Sequence, residues 1–413
     1  MAPIPGLAEQ HADEAAFLAV LRRLMTSAPH WSLVDLARLD ERIEAHLDGL
    51  RVAGDDGWNA CLAGLQRPEP GEVFTAAVLA LEAGDPGRLD PVLDAVRAEP
   101  AAAAGLAAAL AWLTESAAAL HLGTLLKSPS PILRAAGLDA AVAHGEDPGV
   151  ALEQALESDE PALRASAYAA VGRLWRSDLL PAVRHGLDDP DAGCRVRSAW
   201  SGALLGDAAA VGALRRLAEC DEAAGEEAAA VAVRRMSPAD ASAWQRELAM
   251  TPGAARAAIA AAGAIGDPTL LAWLIEQMSD PALARLAGES FTLITGVDLV
   301  AERLTVEAPT DHRAGPSESP EDEDVALDLD EHLPWPDLEG VQAWYSQRGK
   351  QLAGASRLLL GRRIEPTALR DVLRHGRQRQ RMAAAIELAI LSARAPFDVT
   401  APALRQLARL SSA

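Results

Sequence analysis

The chain has 413 residues and a formal net charge of −21, a balance that argues against a nucleic-acid groove, which needs a basic stripe facing phosphate. Half of the residues are hydrophobic but only 4% are aromatic, and alanine supplies much of the apolar count, so closely approaching helices are expected in place of a thick sandwich core. The three cysteines, Cys61, Cys194 and Cys220, lack C-x-x-C spacing, which argues against a disulfide framework or a zinc site and for a reduced cytosol. The first residues lack the basic and apolar regions of a signal peptide. The most apolar stretch, 101–126, is mostly alanine and carries Glu115 and His121, so it reads as packed helices and not as a membrane span. A cytoplasmic protein with no membrane or nucleic-acid partner is expected.

In chain order, residues 1–66 read as an N-terminal helical cap. Phe17, Leu18, Leu21 and Leu24 fall at helical spacing. Ser32 is placed to cap a second helix through Leu36, Leu39, Ile43 and Leu47. Gly54-Asp55-Asp56-Gly57 then reads as a turn.

Residues 67–305 carry a regular beat. Pro70, Pro100, Pro131, Pro161, Pro190, Pro252 and Pro281 recur at near-constant steps, and Cys220-Asp221 stands where one beat lacks its proline. A fixed period of roughly 20–50 residues marks a repeat array. Ser130-Pro131, Asp189-Pro190, Asp267-Pro268 and Asp280-Pro281 are helix starts with a physical reason. The polar side chain can accept a free backbone N–H, and proline at the first helical position gives up a donor that would be unpaired anyway. Gly145-Glu146-Asp147-Pro148 ends one helix and begins another through Val150, Leu152 and Leu156. Each unit is thus two antiparallel helices joined by a short turn. Arg134 and Arg164 follow their prolines by three residues, and Arg256 and Arg285 by four. This pattern resembles the HEAT-like repeats also found in bilin lyases. The resemblance implies an all-α fold, an α-solenoid of HEAT-like helical hairpins whose long face serves a partner.

Residues 306–337 hold eleven acids and one base, Arg313, so an acidic disordered linker is expected. Residues 338–413 reverse the sign, with thirteen bases and five acids, and read as a basic helical C-terminal domain.

The candidate partner-binding residues are Arg374, Arg377, Arg379, Arg381, Trp335, Trp344, His46 and Asp48. The arginine run around the start of a helix suits an anionic or acidic-peptide ligand, because guanidinium matches carboxylate and phosphate in fork geometry. A solvated helix start is the plainer alternative. Residues 318–331 could dock on these arginines until a partner displaces them, or simply solubilise the chain. Trp335 and Trp344 flank the charge reversal and are expected at the surface, whereas Trp112, Trp175, Trp200 and Trp273 suit packing. His46 and Asp48 form either a polar contact point or a structural hydrogen bond. No metal-ligand spacing, nucleophile elbow or phosphate loop is present, so no catalytic, cofactor-binding or metal-binding residue is expected.

Three stretches carry a further resemblance: Leu36 to Trp58; Ala287 to Leu299; and Leu333-Pro334-Trp335-Pro336-Asp337 followed by Gln378 to Ala389. Together they resemble an uncharacterised proteobacterial HEAT-repeat family often encoded near type VI secretion genes. The resemblance implies a cytoplasmic accessory role and offers no catalytic residue to carry over. The expected function is a non-catalytic scaffold or adaptor for a protein partner, with a secretion effector or an apparatus component as candidates. The alternatives are an immunity protein that occludes a toxin, and a HEAT-fold enzyme of the DNA glycosylase or bilin lyase kind.

Overall fold

Small side chains set the architecture. The helices Pro70–Ala83, Ala103–Trp112, Pro131–His144, Pro161–Arg173 and Ala192–Leu204 pack in succession, each on the next. Gly225–Arg234, Ala255–Ile265 and Ala284–Thr295 do the same further along the chain. Their buried faces are rich in alanine, which lets backbones approach closely. At Gly105 the approach is so close that a Cβ would lie 2.1 Å from the Pro70 carbonyl oxygen, so only glycine fits. Other helices, such as Pro86–Ala98 and Leu180–Gly186, pack against the stacked ones.

The computed structural model describes residues 6–220, 224–310, 312, 328–352, 354 and 357–412. Among them the fold is all-α, with twenty-two α-helices and two short antiparallel strand pairs. No helix among the described residues is long and apolar enough to cross a membrane.

The proline beat marks helix starts, with a shift. Pro70, Pro131 and Pro161 are first helical residues, whereas the helices after Pro190, Pro252 and Pro281 open at Ala192, Ala255 and Ala284. Ser32 caps its helix reciprocally with Asp35. Ser130 does not cap, and its own N–H donates to the Ser128 hydroxyl at 3.2 Å. Asp189 is not a cap either. Its carboxylate pairs with Arg164 at 2.8 Å, and Asp191 takes over by accepting from the Cys194 N–H at 2.8 Å. Gly54 turns the chain with φ +60°, but Asp55 already begins the next helix, Asp55–Gly64.

The chain divides into two compact units. One joins Met1–Ala210 to Asp371–Ala413, and the other is Val211–Arg370. These limits differ from those expected at 66, 305 and 337. The last residues of the expected C-terminal domain bond to the N-terminal helices, through Gln378 N–H to Trp31 O at 2.7 Å and a bridge between Ser32 and Arg377. Residues 357–361 bond instead to helix ends of the second unit, with Leu358 N–H on Gly266 O at 2.8 Å and Leu360 N–H on Leu293 O at 2.7 Å. Gly296 makes that second contact possible. Its φ is +76°, and a Cβ there would sit 2.5 Å from the Leu360 oxygen.

The core of the first unit centres on residues such as Leu18, Ile43, Leu47, Val73, Leu106, Leu110 and Leu138, and that of the second on Ile259, Leu274, Phe291 and Ile294. The structure departs from the expected disordered linker at both of its ends. Thr305–Val306 pairs antiparallel with Trp335–Pro336, and Asp328 and Asp330 form ion pairs within the second unit. Asp311 and residues 313–327 lie outside the described residues.

Candidate functional site

The arginine run expected to meet a partner is committed to the protein itself. Arg381 has no exposed surface. Its Nε donates to Leu373 O at 2.7 Å, and its other nitrogens bond the side-chain oxygens of Gln378 and Gln406. With only neutral acceptors around it, burial pulls its pKa down to about 10. This corrects the expectation of a surface contact at Arg381. Gln378 is equally buried and donates to Thr26 O at 3.0 Å and Val399 O at 3.2 Å. Arg377 reaches His30 O at 2.9 Å, Arg379 reaches Ser27 O at 3.2 Å, and Arg374 reaches Leu410 O at 2.6 Å. The oxygens of Thr26 and Ser27 follow directly on the helix Leu7–Met25, where exposed carbonyls favour cationic and N–H partners. The segment therefore fastens the last helices onto the first.

The other expected residues are scattered. His46 Nδ1 lies 3.1 Å from His11 Nδ1, and burial, followed by His11, holds the His46 pKa below its ordinary value. Asp48 is exposed and pairs with Arg51 at 2.6 Å, so it does not act with His46, as residues two apart on a helix do not face each other. In the second unit Trp335 and Trp344 are half-buried, which corrects the expectation that they sit at the surface. Trp335 covers Arg285 at 4.8 Å, and Trp344 packs edge-on to Phe291 at 5.6 Å.

A cavity of about 540 Å³ in the first unit brings together residues that no local motif links. Its floor is largely alanine from successive stacked helices, among them Ala104, Ala107, Ala108, Ala143, Ala165 and Ala169, with Phe74 and Trp112 as its aromatic wall. The two rings meet edge-on at 5.6 Å, and the Trp112 Nε1–H donates to Glu44 at 2.8 Å. Asp398, Thr400, Ala401 and Pro402 of the C-terminal segment form a further wall.

Four arginines line this cavity and fall into two kinds. Arg22 chelates Asp40, donates to Thr400 O at 3.0 Å and Ala401 O at 2.9 Å, and lies 5.6 Å from the Trp112 ring centre. Arg173 pairs with Asp398 at 3.3 Å. These two hold the wall in place. Asp40 also accepts the Ala403 N–H at 2.7 Å and so satisfies a donor at the start of the last helix, Ala403–Ser411. From that helix Arg405 reaches Ala111 O at 2.7 Å and Arg409 reaches His144 O at 3.0 Å. Both arginines thereby satisfy carbonyls at the ends of stacked helices. Arg23 and Arg197, by contrast, are exposed on the cavity rim, and their guanidinium groups make no hydrogen bond or ion pair among the described residues.

Asp139 sits between these groups. Burial pushes its carboxyl above the ordinary aspartate value, against the pull of Arg173, the Ser166 hydroxyl at 3.3 Å and Arg197. An alanine floor, two uncommitted guanidinium forks and a carboxylate with a single side-chain partner suit a ligand that is itself carboxylate-bearing and carries a donor group. Thiol chemistry is disfavoured at Cys61 and Cys194, where burial pushes each thiol up to about 12. The rim residues escaped sequence reasoning because Arg23, Asp139 and Arg197 lie far apart in the chain and converge only through helix stacking. A scan against models of protein families finds no match to this chain, and neither does a search of curated proteins.

Proposed function

We propose that the chain is a non-catalytic protein-binding scaffold, an α-solenoid of HEAT-like hairpins whose first unit receives an acidic segment of a partner protein. The carrying observation is that Arg23 and Arg197 stand uncommitted on the rim of an alanine-floored cavity while Arg22 and Arg173 beside them are fully engaged. Uncommitted arginine forks recognise carboxylates with directional hydrogen bonds. Small floor residues leave room for a peptide backbone. The family resemblance in the sequence implies a partner drawn from secretion effectors or apparatus components.

A photo-crosslinking residue in place of the exposed Ala108, within the cavity, tests this in the native host. Crosslinks should map to partner segments bearing several carboxylates and should vanish when R23E/R197E is added. Crosslinking indifferent to those two substitutions overturns the reading.

A further inference from the structure

A second arginine surface lies in the other unit, and part of the chain itself already occupies it. Arg256 donates to both oxygens of Asp330 at 2.8 Å, and Arg285 donates to both oxygens of Asp328 at 2.7 and 3.0 Å. Asp328 also accepts the Asp330 N–H at 2.9 Å, which shapes the two carboxylates into one fork-ready turn. Trp335 covers the Arg285 guanidinium. Arg256 keeps a second partner, Glu226, at 2.6 Å.

The matching arginine of an earlier repeat is satisfied differently. Arg164 takes Asp189, only 25 residues further on, in the loop before the helix Ala192–Leu204. Arg256 and Arg285 reach instead for residues 74 and 43 positions further on. The strap that supplies them has little apolar anchorage. Leu329 between the two aspartates is 62% exposed, and Glu331 and His332 are also exposed. The first buried apolar side chain after the turn is Leu333. Contacts made almost entirely of charge and hydrogen bonds can be reproduced by another acidic segment.

We propose that Arg256 and Arg285 form a docking site for a partner's Asp-x-Asp segment, and that Asp328-Leu329-Asp330 fills this site in cis until such a segment replaces it. The site is separate from the cavity of the first unit and stands or falls without it. A tethered occupant competes at high effective concentration, so only a partner that offers further contacts gains entry.

The probe is a fluorescent peptide with the sequence of residues 328–334, titrated by anisotropy against the full chain. D328N/D330N should bind it about tenfold or more tightly than wild type, which must first release its own strap. Adding R256Q/R285Q should abolish binding. Equal binding by wild type and D328N/D330N, binding that survives loss of the arginines, or no binding to D328N/D330N overturns the proposal. Hydrogen exchange on the wild type gives a second reading. Peptide in excess should speed exchange at the amides of Leu329, Asp330 and Glu331, and unchanged rates count against exchangeability. A D328N/D330N chain that loses its helical signal makes the carboxylates a fixed part of the core, which also overturns the proposal.

Discussion

Arg374 to Arg381 and the rim pair Arg23 and Arg197 are both arginine groups of the first unit, and they behave in opposite ways. The first group is dense in sequence, yet its members are engaged by main-chain or amide oxygens, and Arg381 is fully buried. The second is split between the helices Leu7–Met25 and Ala192–Leu204, far apart in the chain, yet it converges on one cavity with its side-chain hydrogen bonds unspent. Crowding of charge along a chain reports local composition. Availability of charge depends on whether folded neighbours have already supplied acceptors.

The sharpest way to separate the two groups is stability. R381M should cost about 3 kcal/mol or more in denaturant unfolding, because it leaves the Leu373, Gln378 and Gln406 oxygens buried without their donor. R23A/R197A should change stability by no more than about 0.5 kcal/mol, as exposed substitutions do. If both cost the same, the contrast fails.

Next in size is D189N, which should cost about 2 kcal/mol at neutral pH by leaving Arg164 with a weaker partner in a half-buried site. The Asp189 pKa is held low, first by the Arg164 hydrogen bond. Its contribution is therefore present above the unfolded value of about 3.9 and lost as pH falls through the folded one. Urea titrations of wild type and variant should converge in acid.

Histidine titration should come third. Burial holds His144 and His46 below their ordinary pKa values, so the fold favours their neutral forms. Their share of stability is full above about pH 6.5 and declines as pH falls through that unfolded value. H144Q should flatten this part of the pH profile. A profile unchanged by H144Q sinks the assignment.

The smallest effect expected is a gain. The Asp139 carboxyl is pushed up by burial, so its ionised form opposes folding at neutral pH. That opposition is relieved as pH falls through the folded pKa toward about 3.9. D139N should raise the melting temperature at pH 7, with the advantage shrinking in acid. The same variant should weaken partner crosslinking at Ala108. A gain in stability with no loss of crosslinking would detach Asp139 from the cavity's role.

Much of the fold is legible in the sequence because proline and small residues act locally. Pro70, Pro131 and Pro161 open helices by their fixed geometry, and Gly145 with φ +79° closes one. The caps were less legible. Ser130 and Asp189 have the right chemistry, but Asp189 is drawn to Arg164, a partner 25 residues away. The burial of Arg381 did have a signal: Arg381, Ala384, Ala385 and Ala389 share one helix face, and all are buried. An arginine on an apolar stripe reads more safely as an internal hydrogen-bonding hub than as a surface contact. Net charge alone hides that Asp328 and Asp330 of the acidic stretch have specific arginines waiting for them.

The discontinuity of the first unit bears on how the protein is made. Residues up to Ala210 leave the ribosome long before Asp371–Ala413, and the whole of Val211–Arg370 is synthesised between them. At ordinary translation rates that interval is on the order of ten seconds or more. Throughout it, Asp40, Arg22 and the carbonyls of Thr26, Ser27 and Trp31 lack the partners that later fasten them. The nascent chain thus presents an unfinished helical end to the cell, and chaperone dependence should concentrate there and not in the second unit, which can complete itself while the first still waits.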